Sequence, residues 1–252
     1  MSEELFAGIR CLFRGFGFLT RTGLKRYVAI PLLINSVLFV AAIVYAVNRF
    51  DVWLRYMSAG LPVWLTWIFP LLWLLFAATA ALALFYGFTL VVNLVGAPFN
   101  SFLSAHVELL ATGHAPHSSR GLWQDIVISL RDNVRRLVYV LWRALLVGLL
   151  GLLLLFVPLL NMVVPLLWFL FTAWMLAIQY SDYPLSNHGV AFAAQRPLLR
   201  ARRARLLGFG AATALCTLLP VVNFMVMPAA VAGVTLLWSE AGRRGPPSPA
   251  PG

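Results

Sequence analysis

Four runs without a single Asp, Glu, Lys or Arg dominate the chain: residues 27–48, 56–107, 144–181 and 206–239. Runs of this length and apolarity read as membrane segments. Charged residues make up only 11% of the 252 residues, far below the ~25% of a soluble domain. An all-α integral membrane protein is the expectation.

Residues 5–19 form a short amphipathic pattern, with Leu5, Ile9, Leu12, Phe13 and Phe16 at helical spacing and Arg10 and Arg14 four apart. Such a helix can lie in the membrane interface. Residues 27–48 and 71–95 each make a spanning helix of roughly 33–37 Å, enough for a ~30 Å hydrocarbon core. "GAPFN" at 96–100 marks an end or a kink. "TGHAPHSSRG" is loop chemistry, and Ile126, Leu130, Val134, Leu137 and Leu141 then mark one face of a surface helix.

The last two runs share a pattern: "VPLLNMVVP" at 157–165 and "LPVVNFMVMP" at 219–228. With a break at both prolines of each, the remaining arms measure only ~17–24 Å as helices. The expectation is two re-entrant, hemi-penetrating hairpins over 144–181 and 206–239. Asn161 and Asn223 stand at their tips, able to satisfy freed backbone groups or to meet a solute. Residues 1–241 are expected to form a single membrane domain. The tail from 242 is rich in Pro and Gly and reads as disordered.

Charge placement agrees with this layout. Basic residues number five in 1–26, two in 49–55, five in 120–143, five in 196–205 and two at 243–244. Two spans and two hairpins keep every rich segment, and both termini, on the cytoplasmic side, as the positive-inside rule asks; four further full crossings in place of the hairpins would satisfy the same parity, but their arms are short for it. The first 26 residues show no apolar core ending in a small-residue cleavage site, so no cleavable signal peptide is expected. The net charge of +11 borders apolar runs and is not interleaved with aromatic residues, so nucleic acid is not an expected partner.

Enzyme motifs are missing: there is no phosphate loop, no Gly-x-Ser-x-Gly and no His-Glu-x-x-His. His114 and His117 share a loop without a third ligand, so no metal is expected, and no cofactor. Asp182 and His188 can form an acid/base pair, although such residues more often cap a helix end and a turn. Cys11 and Cys216 read as small buried hydrophobes.

"RTGLKRYVAIPLLIN" at 21–35 holds the best solute-site candidate. Lys25 and Arg26 precede the first span. An anion there would meet free backbone N–H groups and both cations, and Gly23 would let the backbone approach closely. The other reading is plain anchoring, because cytoplasmic Lys and Arg flank membrane helices generally. Arg200, Arg202, Arg203 and Arg205 raise the same choice, between anionic lipid headgroups and recruitment of a solute anion.

"GLKRYVAIPLLIN", "GAPFNSFLSAHVE", "WFLFTAWMLAIQYSDYPLSNHG" and "LGFGAATALCTLLPVVNFMVMPAAVAGVTLLW" resemble, in order and over roughly residues 5–240, the CysZ family of bacterial sulfate permeases. The resemblance implies a multi-pass inner-membrane sulfate transporter or channel feeding cysteine synthesis. It also implies two long spanning helices with two hemi-penetrating hairpins, and a homo-oligomer for which a hexamer is the suggested size. The family's sulfate-binding stretch falls on Gly23, Leu24, Lys25 and Arg26. Lys25 stands where arginine is usual and lacks the bidentate fork. Ala105 stands where relatives commonly carry glutamate, while Glu108 matches.

Glu108, Asn161, Asn223, Arg200, Arg202 and Arg203 are the candidates for pore or coupling roles. Ionisable groups bordering the apolar segments are few (His106, Glu108, Asp182, His188 and Glu240), so channel-like conduction is expected over a proton relay. The rival expectation is a non-transporting structural or regulatory membrane subunit with its basic faces on lipid.

Overall fold

The computed structural model describes residues 2–20, 25–58, 67–116, 122–157 and 160–243. Eight α-helices lie among them: α1 Ser2–Leu19, α2 Lys25–Ser58, α3 Ile68–Thr112, α4 Leu122–Leu155, α5 Val163–Asn187, α6 Phe192–Ala201, α7 Arg203–Thr217 and α8 Pro220–Arg243, with a 3₁₀ turn at Leu160–Met162. The described residues contain no strand. Among the described residues, three stretches are long and apolar enough to cross a membrane, Ser36–Trp53, Arg131–Leu155 and Leu160–Asn187. The chain is an all-helical membrane protein.

The helices run further than the sequence pattern suggests. The expected surface helix and the arm at 144–157 are one helix, α4, because no Pro or Gly interrupts 122–147 and a change from polar to apolar side chains does not disturb backbone hydrogen bonding. "GAPFN" does not end α3, which continues through Pro98 to Thr112. It ends at Gly113, whose φ of 79° and N–H bond to the Leu109 carbonyl (2.8 Å) close the last turn.

The proline expectation is also corrected. Each of the last two runs breaks once, near its first proline, and not at both. Pro165 falls in the first turn of α5 and Pro220 opens α8, positions where the missing N–H has no intrahelical partner to lose. Pro228 lies inside α8, which runs through it. Tolerated interior prolines are a feature of membrane helices.

Two compact units emerge, residues 26–99 and residues 1–25 with 100–252. In the first, Phe50 of α2 stacks on Phe76 of α3 at 3.8 Å and meets Trp73 edge-on at 4.7 Å. Leu33, Val37, Val40, Val44 and Tyr45 of α2 stay exposed, as side chains facing hydrocarbon do.

In the second unit α1 lies along α7 and α8, and α5 along α7. The seam is made by glycines. A Cβ at Gly8 would overlap the Arg205 carbonyl and one at Gly208 the Leu5 carbonyl. One at Gly15 would overlap the Ala229 carbonyl, and one at Gly233 would sit 2.5 Å from the Cys11 carbonyl. Small residues let membrane helices approach this closely. The buried face of α1 is therefore Gly8, Cys11, Leu12, Gly15, Phe18 and Leu19, while Phe13 of the expected apolar face is 57% exposed.

Candidate functional site

Polar residues are scarce in this chain, so a line of them at helix spacing stands out. Asn100, Ser101, Ser104 and Glu108 lie along one side of the last turns of α3, and Asn100, Ser104 and Glu108 are buried. Each bonds to the end of α5 or to α8. Asn100 Nδ2 donates to Tyr183 Oη and to Met227 Sδ, both at 3.3 Å. Ser101 Oγ donates to Asn187 Oδ1 at 2.6 Å, and Asn187 Nδ2 returns a bond to the Ser101 carbonyl at 3.0 Å. Ser104 and Thr235 hydroxyls meet at 2.9 Å; Thr235 already donates to the Val231 carbonyl at 2.7 Å, which makes Ser104 the donor. At the end of the line His188 Nε2 lies 2.7 Å from Glu108 Oε1, and Glu108 Oε2 is buried without a hydrogen-bond partner among the described residues.

A second network braces α4 against α5 and α6. Arg136 Nη2 pairs with Asp182 Oδ2 at 2.7 Å, and Asp182 Oδ1 accepts from Ser186 Oγ at 2.9 Å and Gln195 Nε2 at 3.0 Å. Asp132 Oδ2 accepts the N–H of Phe192 at 3.0 Å, capping α6 from a neighbouring helix because Ala191 has no side-chain acceptor of its own. Asp182 and His188 are thus not an acid/base pair: each has a different partner, Arg136 for one and Glu108 for the other.

The basic cluster is divided. Arg205 grips Glu4 through two bonds, at 2.8 and 2.9 Å, and this holds the Glu4 carboxyl below its ordinary range. Arg202, between α6 and α7, lies over the Trp238 ring at 5.5 Å. Arg203 is exposed at the start of α7, and Arg200 is exposed near the end of α6. Arg14 bonds Glu240 at 2.5 Å, which raises the guanidinium further.

Asn161 and Asn223 are both exposed, Asn161 in the 3₁₀ turn before α5 and Asn223 in the first turn of α8. The Asn223 backbone N–H donates to the Leu219 carbonyl at 2.8 Å. His114 is exposed and bonds within its own turn to Thr112, whereas His117 lies outside the described residues. Cys11 is buried, its Sγ donates to the Gly233 carbonyl at 2.8 Å, and burial pushes the thiol up to about 12. Gly23 and Leu24 lie outside the described residues, as do the side chains of Lys25 and Arg26, whose backbones open α2.

Residues 11–228 match the family described as Sulfate transporter CysZ/Etoposide-induced protein 2.4. The chain belongs to this family. Over nearly its whole length it is similar to the sulfate transporter CysZ of Pseudomonas aeruginosa, 39% identical over 242 residues that make up 94% of this chain and 97% of that one. The CysZ of Pseudomonas fluorescens is 38% identical over 243 residues, 94% of this chain and 95% of its own. That of Salmonella typhimurium is 36% identical over 240 residues, 94% and 93%.

The CysZ-family match covers the α3 side of the polar line, its α5 partners and Met227; Thr235 lies beyond it. Sequence reasoning picked out Glu108 and His188 from this line but did not pair them. Ser101, Ser104, Tyr183, Asn187 and Thr235 sit inside the stretches that carry the resemblance, "GAPFNSFLSAHVE", "SDYPLSNHG" and "AAVAGVTLLW". Spacing within α3 could have found its side of the line. Nothing in one sequence says which stretches meet.

Proposed function

We propose that the chain carries sulfate inward across the bacterial inner membrane and so supplies sulfur for cysteine biosynthesis. The observation that carries this reading is similarity over nearly the full length to proteins named sulfate transporter CysZ. Those relatives are named as transporters, and the reading assigns this chain no catalysis.

The proposed anion site is Gly23, Leu24, Lys25 and Arg26. In its favour, α2 begins at Lys25, so the first free N–H groups of a helix belong to this stretch along with two cations. Glu108, with its buried and unpartnered Oε2, is a proposed coupling residue. Asn161 and Asn223 are proposed pore contacts, and Arg200, Arg202 and Arg203 are proposed to recruit the anion electrostatically.

The proposed topology has α2 and α3 crossing, while α4–α5 and α7–α8 enter and return to the cytoplasmic side, where both termini lie. For α7–α8 the support is length, since the 15 residues of α7 reach only ~22 Å, short of a ~30 Å core. α4 and α5 are long enough to cross. For them the support is charge, since basic residues precede the uncharged stretch in α4 and follow it in 196–205. A homo-oligomer, hexameric in the reading proposed, completes the assembly.

Two negative charges moving inward oppose an inside-negative potential by about 4.6 kcal/mol per 100 mV. Each tenfold gradient returns about 1.4 kcal/mol, so uncoupled conduction requires sulfate roughly two thousandfold lower inside, held there by assimilation. The deciding experiment is labelled sulfate uptake into liposomes holding only this protein. Flux in the wild type that disappears in folded Lys25→Ala/Arg26→Ala supports both the transport and the site. Equal flux in both refutes the site. No flux from folded wild type refutes transport by this chain alone and favours a lipid-binding subunit.

A further inference from the structure

Tyr139 of α4 carries two arginines. The Arg143 guanidinium carbon lies 5.5 Å from its ring centroid and that of Arg196, from α6, lies 5.3 Å away. Both distances are within cation–π range. Tyr139 and Arg196 also line a shallow pocket with Arg200 and the apolar side chains of Trp174, Ile178, Phe192 and Leu199. Phe192 meets Tyr139 edge-on at 5.9 Å. The frame is rigid, because the Asp132–Phe192 bond and the Arg136–Asp182 pair tie α4 to α6 and α5 beside it.

Charge makes this pocket unusual. None of Arg143, Arg196 and Arg200 has a carboxylate within ion-pair distance among the described residues; the carboxylates nearby, Asp132 and Asp182, are engaged by Arg135 and Arg136. The two guanidinium carbons over Tyr139 are no farther apart than their ring distances laid end to end. Arg196 and Arg200 line the pocket and Arg143 stands over the same Tyr139 ring as Arg196; like charges held this near one another repel unless an anion joins them.

Position says which anion. Arg143 is the last charged residue before the uncharged run 144–181, and Arg196 is the first basic residue after it. The rim therefore stands where charged sequence gives way to membrane-length apolar sequence, the level of lipid phosphates and of interfacial Tyr and Trp. Ile178, Phe192 and Leu199 are buried beneath the arginines, and the part-exposed Tyr139 and Trp174 stand beside them. Aromatic faces offer nothing to a hydrated dianion; they suit the glycerol and first methylenes of a phospholipid whose phosphate meets the guanidiniums.

We infer that the pocket between α4, α5 and α6 is a binding site for an anionic phospholipid, with Arg196, Arg200 and Arg143 on its phosphate and Tyr139 holding two of the arginines in place. The site is separate from the proposed sulfate site at 23–26; Arg200, also proposed to attract the solute anion, is held by lipid when the pocket is filled, and the test does not depend on transport.

The test uses the purified full-length chain in neutral detergent. Phosphatidylglycerol should raise the melting temperature saturably and by several degrees more than phosphatidylcholine. Arg196→Gln/Arg200→Gln should lose most of that difference, while Arg10→Gln, exposed on α1, keeps it. If the double variant does not fold, Arg143→Gln alone, on an exposed side chain, should weaken the difference in the same direction, read also as phospholipid phosphorus retained per protomer. Equal shifts from the two lipids, or an undiminished phosphatidylglycerol shift in the folded variants, overturn the inference. Sodium sulfate that reproduces the shift and displaces phosphatidylglycerol also overturns it, making the pocket a free-oxyanion site.

Discussion

Alanine at Gly8 tests the glycine seam directly. Its methyl would overlap the Arg205 carbonyl and lie 2.7 Å from the Phe209 nitrogen, both of them backbone atoms that no rotamer change can move. Restoring a contact of ~3.5 Å requires α1 to back away by on the order of an ångström, and a gap of that size forfeits a quarter to a half of each dispersion contact. Leu12 and Leu19, buried on the same face, lose most. Overpacking typically costs about 1–3 kcal/mol, and contact with backbone puts Gly8→Ala at the upper end, roughly 6–12 °C in melting temperature. Gly17 lies on the same helix with nothing within 4 Å of its would-be Cβ. Gly17→Ala should therefore raise stability by ~0.5–1 kcal/mol through helix propensity alone. Thermal unfolding of both variants in one detergent provides the comparison. If Gly8→Ala is as stable as Gly17→Ala, α1 does not dock through this seam.

Three further outcomes follow from named contacts. The Glu4 carboxyl is held below its ordinary range by Arg205, so the pair's contribution is fully present above the usual carboxylate range and is lost as pH falls through the lowered value; the stability gap between wild type and Arg205→Gln, ~1 kcal/mol or less for so exposed a pair, should close on acidification. Cys11, buried with its thiol raised to about 12, should resist a maleimide in folded Cys216→Ser protein and react once the protein is denatured; rapid labelling of the folded form would contradict the docking of α1. Asp132→Ala should leave the Phe192 N–H without its acceptor and lower stability by about 1 kcal/mol in a denaturation series, whereas Asn133→Ala, on an exposed neighbour, should change it little.

Class was legible from composition because a backbone in hydrocarbon has so few solutions, and uncharged runs announce it without any tertiary information. Helix ends were less legible. Proline marks a helix start where the N–H it lacks would have had no intrahelical partner, and Pro220 opens a helix for that reason; Pro98 and Pro228 ride inside helices, and the break expected at Pro228 does not occur. The buried face of α1 was misread because hydrophobic periodicity scores Phe13 and ignores Gly8 and Gly15, yet in a membrane protein it is the small residues that mark a close contact. The polar line from Asn100 to Glu108 was half legible. Its α3 side has helical spacing, but its partners come from 80 or more residues away in the chain, 80 for the His188–Glu108 contact.

The two kinds of helix surface in the second unit follow from one physical fact. Lipid is as apolar as leucine, so burying a large side chain between helices gains little over leaving it in the bilayer. Helices in hydrocarbon associate where backbones can touch and where polar groups find partners. The α1–α7–α8 seam does the first with Gly8, Gly15, Gly208 and Gly233, and the α3–α5–α8 line does the second with Asn100, Ser104 and Glu108. α4 meets α5 more loosely, with Gly151 facing the side chains of Val164 and Trp168. Its large residues, Leu141, Leu145, Leu149, Leu152 and Leu153, point outward and stay exposed. In a water-soluble protein such a face would demand a partner. In a membrane helix hydrocarbon can cover such a face at little cost. The exceptions in α4–α6 are Arg143 and Arg196 over Tyr139 and Arg200 in the same pocket, which have no carboxylate at ion-pair distance among the described residues and are the group inferred to hold a ligand.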